Sequence, residues 1–93
     1  MKRDKMLLNK LNKELKKWNT EVFQIGGVAA WEDEKTYRIN NEDLYCDFDA
    51  TLATIHDQIG IRINGEYKKW NRKDKNAINE IIAFIEPHVS WLY

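Results

Sequence analysis

Residues 41–60 read NEDLYCDFDATLATIHDQIG, and the spacing of their apolar positions governs how the rest of the chain is laid out. Leu44, Phe48, Leu52, Ile55 and Ile59 follow one another at steps of four, four, three and four, with Tyr45 at the margin of the same stripe. At about 100° per residue these side chains fall within an arc of roughly 100°, which predicts an amphipathic helix. Cys46, Asp47, Asp49, Ala50, Thr54, Asp57 and Gln58 then form its outer surface. Asn41 suits the N-cap, Glu42 and Asp43 suit the positive end of the dipole, and Gly60 suits a left-handed stop. The expected helix is acidic on its outside.

On the N-terminal side, Leu7, Leu8, Leu11, Leu15 and Trp18 make the apolar stripe of a first helix from about Asp4 to Trp18. Lysines occupy its opposite face, and Met6 falls among them. From Glu21 to Asn40 the pattern becomes extended. Phe23 and Ile25 alternate with Val22 and Gln24, Gly26-Gly27 suggests a bulge, and Val28 to Trp31 resumes the strand. Glu32-Asp33-Glu34 reads as the turn, and Thr36 to Ile39 as the returning strand, with Tyr37 and Ile39 on one face. After the acidic helix, Ile61 to Ile63 and Glu66 to Trp70 read as strands joined by Asn64-Gly65, a pair suited to a type I′ hairpin turn. Asn71 is placed to cap a last helix, with Asp74 at the capping-box position. Ile78, Ile81, Ile82 and Ile85 form its stripe, and Pro87 is the expected stop.

The fold class expected is therefore α+β: a helix followed by two ββα units, giving a small four-stranded antiparallel sheet with helices packed on it. An offset of thirty residues aligns Tyr37 with Tyr67, Asn41 with Asn71 and Phe48 with Ile78, which suits either a weak duplication or convergence on one pattern. The first helix is free to cover the second sheet face or to pack along an edge. At 93 residues the chain has room for a single domain, residues 1–93.

The net charge of zero conceals segregation. Through Thr20 seven bases oppose Asp4 and Glu14; from Glu21 to Ile61 nine acids oppose Lys35 and Arg38; beyond that six bases oppose four acids. Abundant Lys, Asn and Ile are the mark of AT-rich coding DNA, as in a low-GC bacterium or its phage. Cys46 is the only cysteine, so no internal disulfide framework is available. No stretch approaches the roughly 20 apolar residues of a membrane span, and no secretory signal pattern follows the basic start. A cytoplasmic location without membrane contact is the expectation.

Asp47-Phe48-Asp49-Ala50-Thr51-Leu52 resembles the DxDxT signature of haloacid-dehalogenase-type phosphatases, preceded by the apolar lead-in Leu44-Tyr45-Cys46. The resemblance implies Asp47 as nucleophile, Asp49 as acid/base, a magnesium site and a parallel α/β domain. It covers six residues, the chain is short for that fold, and no acidic pair follows. On a helix the two aspartates point about 160° apart and share no metal. His56 and His88 stand without the spacing of a metal motif, and Cys46 has no adjacent base. No catalytic residue, cofactor or metal is expected.

The function expected is a non-catalytic protein-binding module, such as a phage or mobile-element inhibitor or accessory protein. It would act through an acidic helix face of Glu42, Asp47, Asp49 and Asp57 or through the exposed sheet face, carboxylates standing where phosphates sit in a nucleic-acid groove. The alternative is a nucleic-acid-binding module using Lys68, Lys69, Trp70, Arg72, Lys73 and Lys75, with Tyr67 or Trp70 stacking on a base. Val89, Trp91 and Tyr93 alternate as a strand does, which offers a C-terminal tail that docks on its own core or builds a homodimer.

Overall fold

The computed structural model describes the backbone over residues 2–27, 35–44 and 48–93. A first helix, α1 (Lys2–Leu15), tightens into a 3-10 turn at Lys16–Trp18. Asn19 then reverses the chain in the left-handed region (φ 51°). Five strands follow: β1 (Thr20–Gly27), β2 (Lys35–Asn41), β3 (Ala50–Ile55), β4 (Gln58–Ile63) and β5 (Glu66–Asn71). A second helix, α2 (Ala77–Val89), and a 3-10 turn at Ser90–Leu92 end the chain. The strands form one antiparallel meander in the order β1-β2-β3-β4-β5. The α+β class holds, but the sheet has five strands, and both helices lie outside the run of strands.

The helix expected over residues 41–59 is not formed. Asn41 ends β2, Glu42 to Leu44 turn, and Ala50 to Ile63 make a hairpin. The apolar spacing is also met by two strands of period two. Ala50, Leu52 and Thr54 are buried on one strand, and Ile59, Ile61 and Ile63 on the next. Between Thr51 and Ile63, six residues are β-branched, and their restricted χ1 favours a pleated surface over a helix. The two-residue turn His56-Asp57 supplies the reversal, with His56 at φ 57°. Of the supposed stripe, Phe48, Leu52 and Ile59 are buried, Leu44 is partly so, and Ile55 faces solvent. Tyr45, Cys46 and Asp47 lie outside the described residues, as do Val28 to Trp31 and the turn at Glu32 to Glu34.

Other expectations hold. Asn64 (φ 50°) and Gly65 (φ 93°) make the hairpin turn between β4 and β5. The register of β1 on β2 slips between Gln24 and Gly26, the bulge expected near the glycine pair.

Both helices pack on one sheet face. Leu7, Leu11, Leu15 and Trp18 join Ile81, Ile82, Ile85 and Val89 in a single core over Val22, Tyr37, Ile39, Leu52, Ile61 and Ile63. α1 also guards the edge of the sheet. Asn12 Nδ2 donates to the Val22 carbonyl (3.2 Å), and the Val22 N–H donates to Asn12 Oδ1 (2.7 Å). One side-chain amide thus replaces a missing neighbour strand. At the end of β2, buried Asn41 donates to the Trp18 carbonyl (2.6 Å) and to Thr20 Oγ1 (2.8 Å), fixing where helix gives way to sheet.

α2 starts later and ends later than its sequence suggests. Asn71 Oδ1 accepts from the Lys73 N–H and Asp74 Oδ1 from the Asn76 N–H (both 2.9 Å), so the two cap successive turns ahead of the helix. Pro87 sits within the last turn, where it forfeits its own N–H bond, and the Ser90 N–H bonds the Glu86 carbonyl beyond it. The tail is helical rather than extended. Val89 is buried in α2, whereas Trp91 is 69 % exposed.

Candidate binding surface

Period-two alternation sends β2 through β5 to opposite faces, and what the helices leave uncovered is defined by the register. One row runs straight across the sheet: Phe23 opposite Arg38, Arg38 opposite Thr51, Thr51 opposite Arg62, Arg62 opposite Tyr67. The neighbouring row is Thr36, Ala53, Gly60 and Lys69. Aromatic rings stand at both ends of the first row, two guanidinium groups lie between them, and small residues floor the middle.

Arg38 and Arg62 are two strand spacings apart, about 10 Å. At that separation in water their repulsion is only about 0.4 kcal/mol, so the fold tolerates it, while an anion seated between them is attracted by both. Glu21 is the diagonal neighbour of Arg38, and Asp49 lies just ahead of β3. Among the described residues, no ion pair ties Arg38, Arg62 or Lys69.

Tyr67 leans across the sheet. A Cβ at Gly60 would lie 2.5 Å from the Tyr67 hydroxyl, so the missing side chain is what lets the ring rest there. The ring remains 60 % exposed. It walls a trough of about 490 Å³ whose floor is Ala53 and Gly60 and whose rim includes Ile55, His56, Asp57, Lys69 and Asn71. Phe23 and Ile25 are also exposed, at the far edge of the sheet.

The acidic residues expected to act together are not brought together. Glu42 is exposed in the turn after β2, and Asp49 is exposed before β3, its N–H donating to Asn64 Oδ1 (2.9 Å). Asp57 lies at the opposite end of β3, a strand of about 20 Å, and pairs with Lys73 at 3.5 Å. No helix carries them as one face; Asp47 lies outside the described residues.

The basic stretch is also divided by strand alternation. Trp70 is buried and meets Phe84 edge-on at 5.5 Å, so it is a core residue and no stacking platform. Lys68 sits on the helix side, its ammonium 5.6 Å from the Trp70 ring. Lys69 and Tyr67 take the open face. Arg72 is half-buried, near exposed Lys75 at the approach to α2.

The five strands are antiparallel throughout, so the parallel scaffold implied by the phosphatase-like motif is not the fold of this chain. Among the described residues no group of three His, Cys, Asp or Glu side chains is placed to hold a metal ion. His88 pairs with Glu66 (3.3 Å) and packs on Phe84. None of the described helices is long and apolar enough to cross a membrane.

The chain matches no known family, no curated protein and no solved structure.

Arg38, Arg62 and Phe23 are the surface residues that sequence reasoning passed over as binding residues. The signal was there: Tyr37-Arg38-Ile39 and Ile61-Arg62-Ile63 each place an arginine between two buried neighbours and hence on the far face. Their alignment across Thr51 depends on two hairpin registers, which spacing alone does not fix.

Proposed function

We propose that this chain is a small non-catalytic binding module whose working surface is the open face of its sheet. The observation that carries this reading is the row Phe23, Arg38, Thr51, Arg62, Tyr67. Arginine and tyrosine are the residue types that concentrate binding energy, and here they stand on a register-locked sheet, the arginines with no ion pair among the described residues. An inhibitor or accessory factor of a phage or mobile element needs no more than such a face. Exposed Phe23, Ile25 and Ile55 flank the row with apolar surface.

Position-specific photocrosslinking in cells that express the protein tests this. A photoreactive residue replacing Thr51 should give adducts that vanish when Arg62→Glu is added. The same group replacing Lys13 on α1 or Glu80 on α2, both exposed, should give none. Adducts from the helix positions but not from position 51 would remove the sheet face from consideration.

A further inference from the structure

We infer that the open sheet face takes single-stranded nucleic acid, its phosphates between Arg38, Arg62 and Lys69 and a base on Tyr67; this rests on the sheet face being the working surface. The charge argument comes first. Three cations share the face with no ion pair among the described residues; Glu21 and Asp49, beside the arginine row, lie toward the end of the sheet away from Lys69, and Asp57, which lines the trough with Lys69, pairs with Lys73. The trough beside Tyr67 has Lys69 on its rim, the carboxylate there, Asp57, is paired with Lys73, and its floor is Ala53 and Gly60, residues too small to keep a sugar or base away.

The aromatic geometry adds the second argument. Tyr67 is held down by Gly60 yet leaves most of its surface in solvent, and Phe23 stands at the other end of the same row. A ring held beside a guanidinium on the sheet face offers a π face to an unpaired base and a fork to the adjoining phosphate. In a duplex the base faces are stacked away, so these rings find nothing to meet. An acidic protein surface satisfies the arginines but leaves the pairing of ring and trough unused. The basic stretch at 67–75 enters only through Tyr67 and Lys69, because Trp70 belongs to the core.

The test is fluorescence anisotropy of the full chain with short labelled oligothymidylate and oligouridylate, their duplex forms, and poly-L-glutamate as competitor. Three phosphate contacts predict a log–log salt slope of about −2, a loss of roughly twenty-fold between 50 and 200 mM salt. Arg38→Ala and Arg62→Ala should each flatten that slope by about 0.7. Tyr67→Leu keeps Gly60 covered but removes the stack, so affinity should fall about five-fold or more, while Tyr67→Phe keeps it. Lys13→Ala on α1 should change nothing. Circular dichroism of each variant separates lost binding from lost fold. Absence of binding at low salt, equal binding of duplex, full displacement by polyglutamate at equal charge, or an unaffected Tyr67→Leu variant would each overturn the assignment. Should oligonucleotides fail while crosslinks at position 51 lead to a protein, the nucleic-acid assignment falls and the sheet-face reading stands. Should position 51 give no crosslinks, both fall.

Discussion

Replacing Asn12 with alanine removes a side chain that behaves as a piece of backbone. Val22 faces Ile39 in the β1–β2 ladder, yet its N–H and carbonyl both point outward to Asn12, as in a non-hydrogen-bonded antiparallel pair. Two bonds are lost, each worth about 0.5–1.5 kcal/mol net. Alanine returns up to about 0.7 kcal/mol through its higher helix propensity at an α1 position. The balance is a destabilisation of about 1–2 kcal/mol. In urea, where a small domain loses about 1 kcal/mol per molar denaturant, the midpoint should fall by about 1–2 M with the slope unchanged. Amide exchange locates the effect: the Val22 N–H should lose protection by more than its neighbours on β2. A midpoint within about 0.3 M of wild type, well below that shift, together with unchanged exchange at Val22, would show that the amide bridge contributes nothing.

Two further outcomes follow from the C-terminal end. Val89→Ala, in the core end of α2, should cost about 2 kcal/mol by thermal melting, whereas Trp91→Ala should stay within about 0.5 kcal/mol. Tyr93 donates its hydroxyl to the Asp43 carboxylate, and that bond, with some desolvation and the carboxylate's charge, raises the phenol above the usual tyrosine range. A raised folded-state value stabilises the fold fully below the ordinary tyrosine range and is lost as pH climbs through the raised one. Ultraviolet titration of the wild type and of Asp43→Ala should therefore differ by one tyrosine, which titrates earlier in the variant.

Much of the fold was legible because short-range rules governed it. α1, the strand through Tyr37 and Ile39, and the Asn64-Gly65 hairpin each follow from a local pattern that no distant contact overrides. The stretch at 41–60 misled because five apolar residues at helical steps also serve a loop, a strand, a turn and a second strand. Only the β-branched density from Thr51 onward distinguished the two. The α2 boundaries shifted because Asn71 and Asp74, good helix caps, bond to nearer N–H groups instead. The binding face was half legible. Alternation marks Arg38 and Arg62 as outward, but only the paired registers of three strands align them in one row.

The meander has a consequence for how the chain is made. Each strand pairs only with its neighbours in sequence, so hairpins can close as soon as they leave the ribosome. Only α1 is then available to cover the apolar side they create, because Ile81, Ile85 and Val89 all follow the last strand. Between the emergence of Asn71 and that of Val89, synthesis takes about 1–4 s. For that interval a complete sheet lacks half its cover and is open to chaperones or to a second nascent chain. Placing α2 last makes the rate of translation through residues 72–89 a determinant of how much protein reaches its native state.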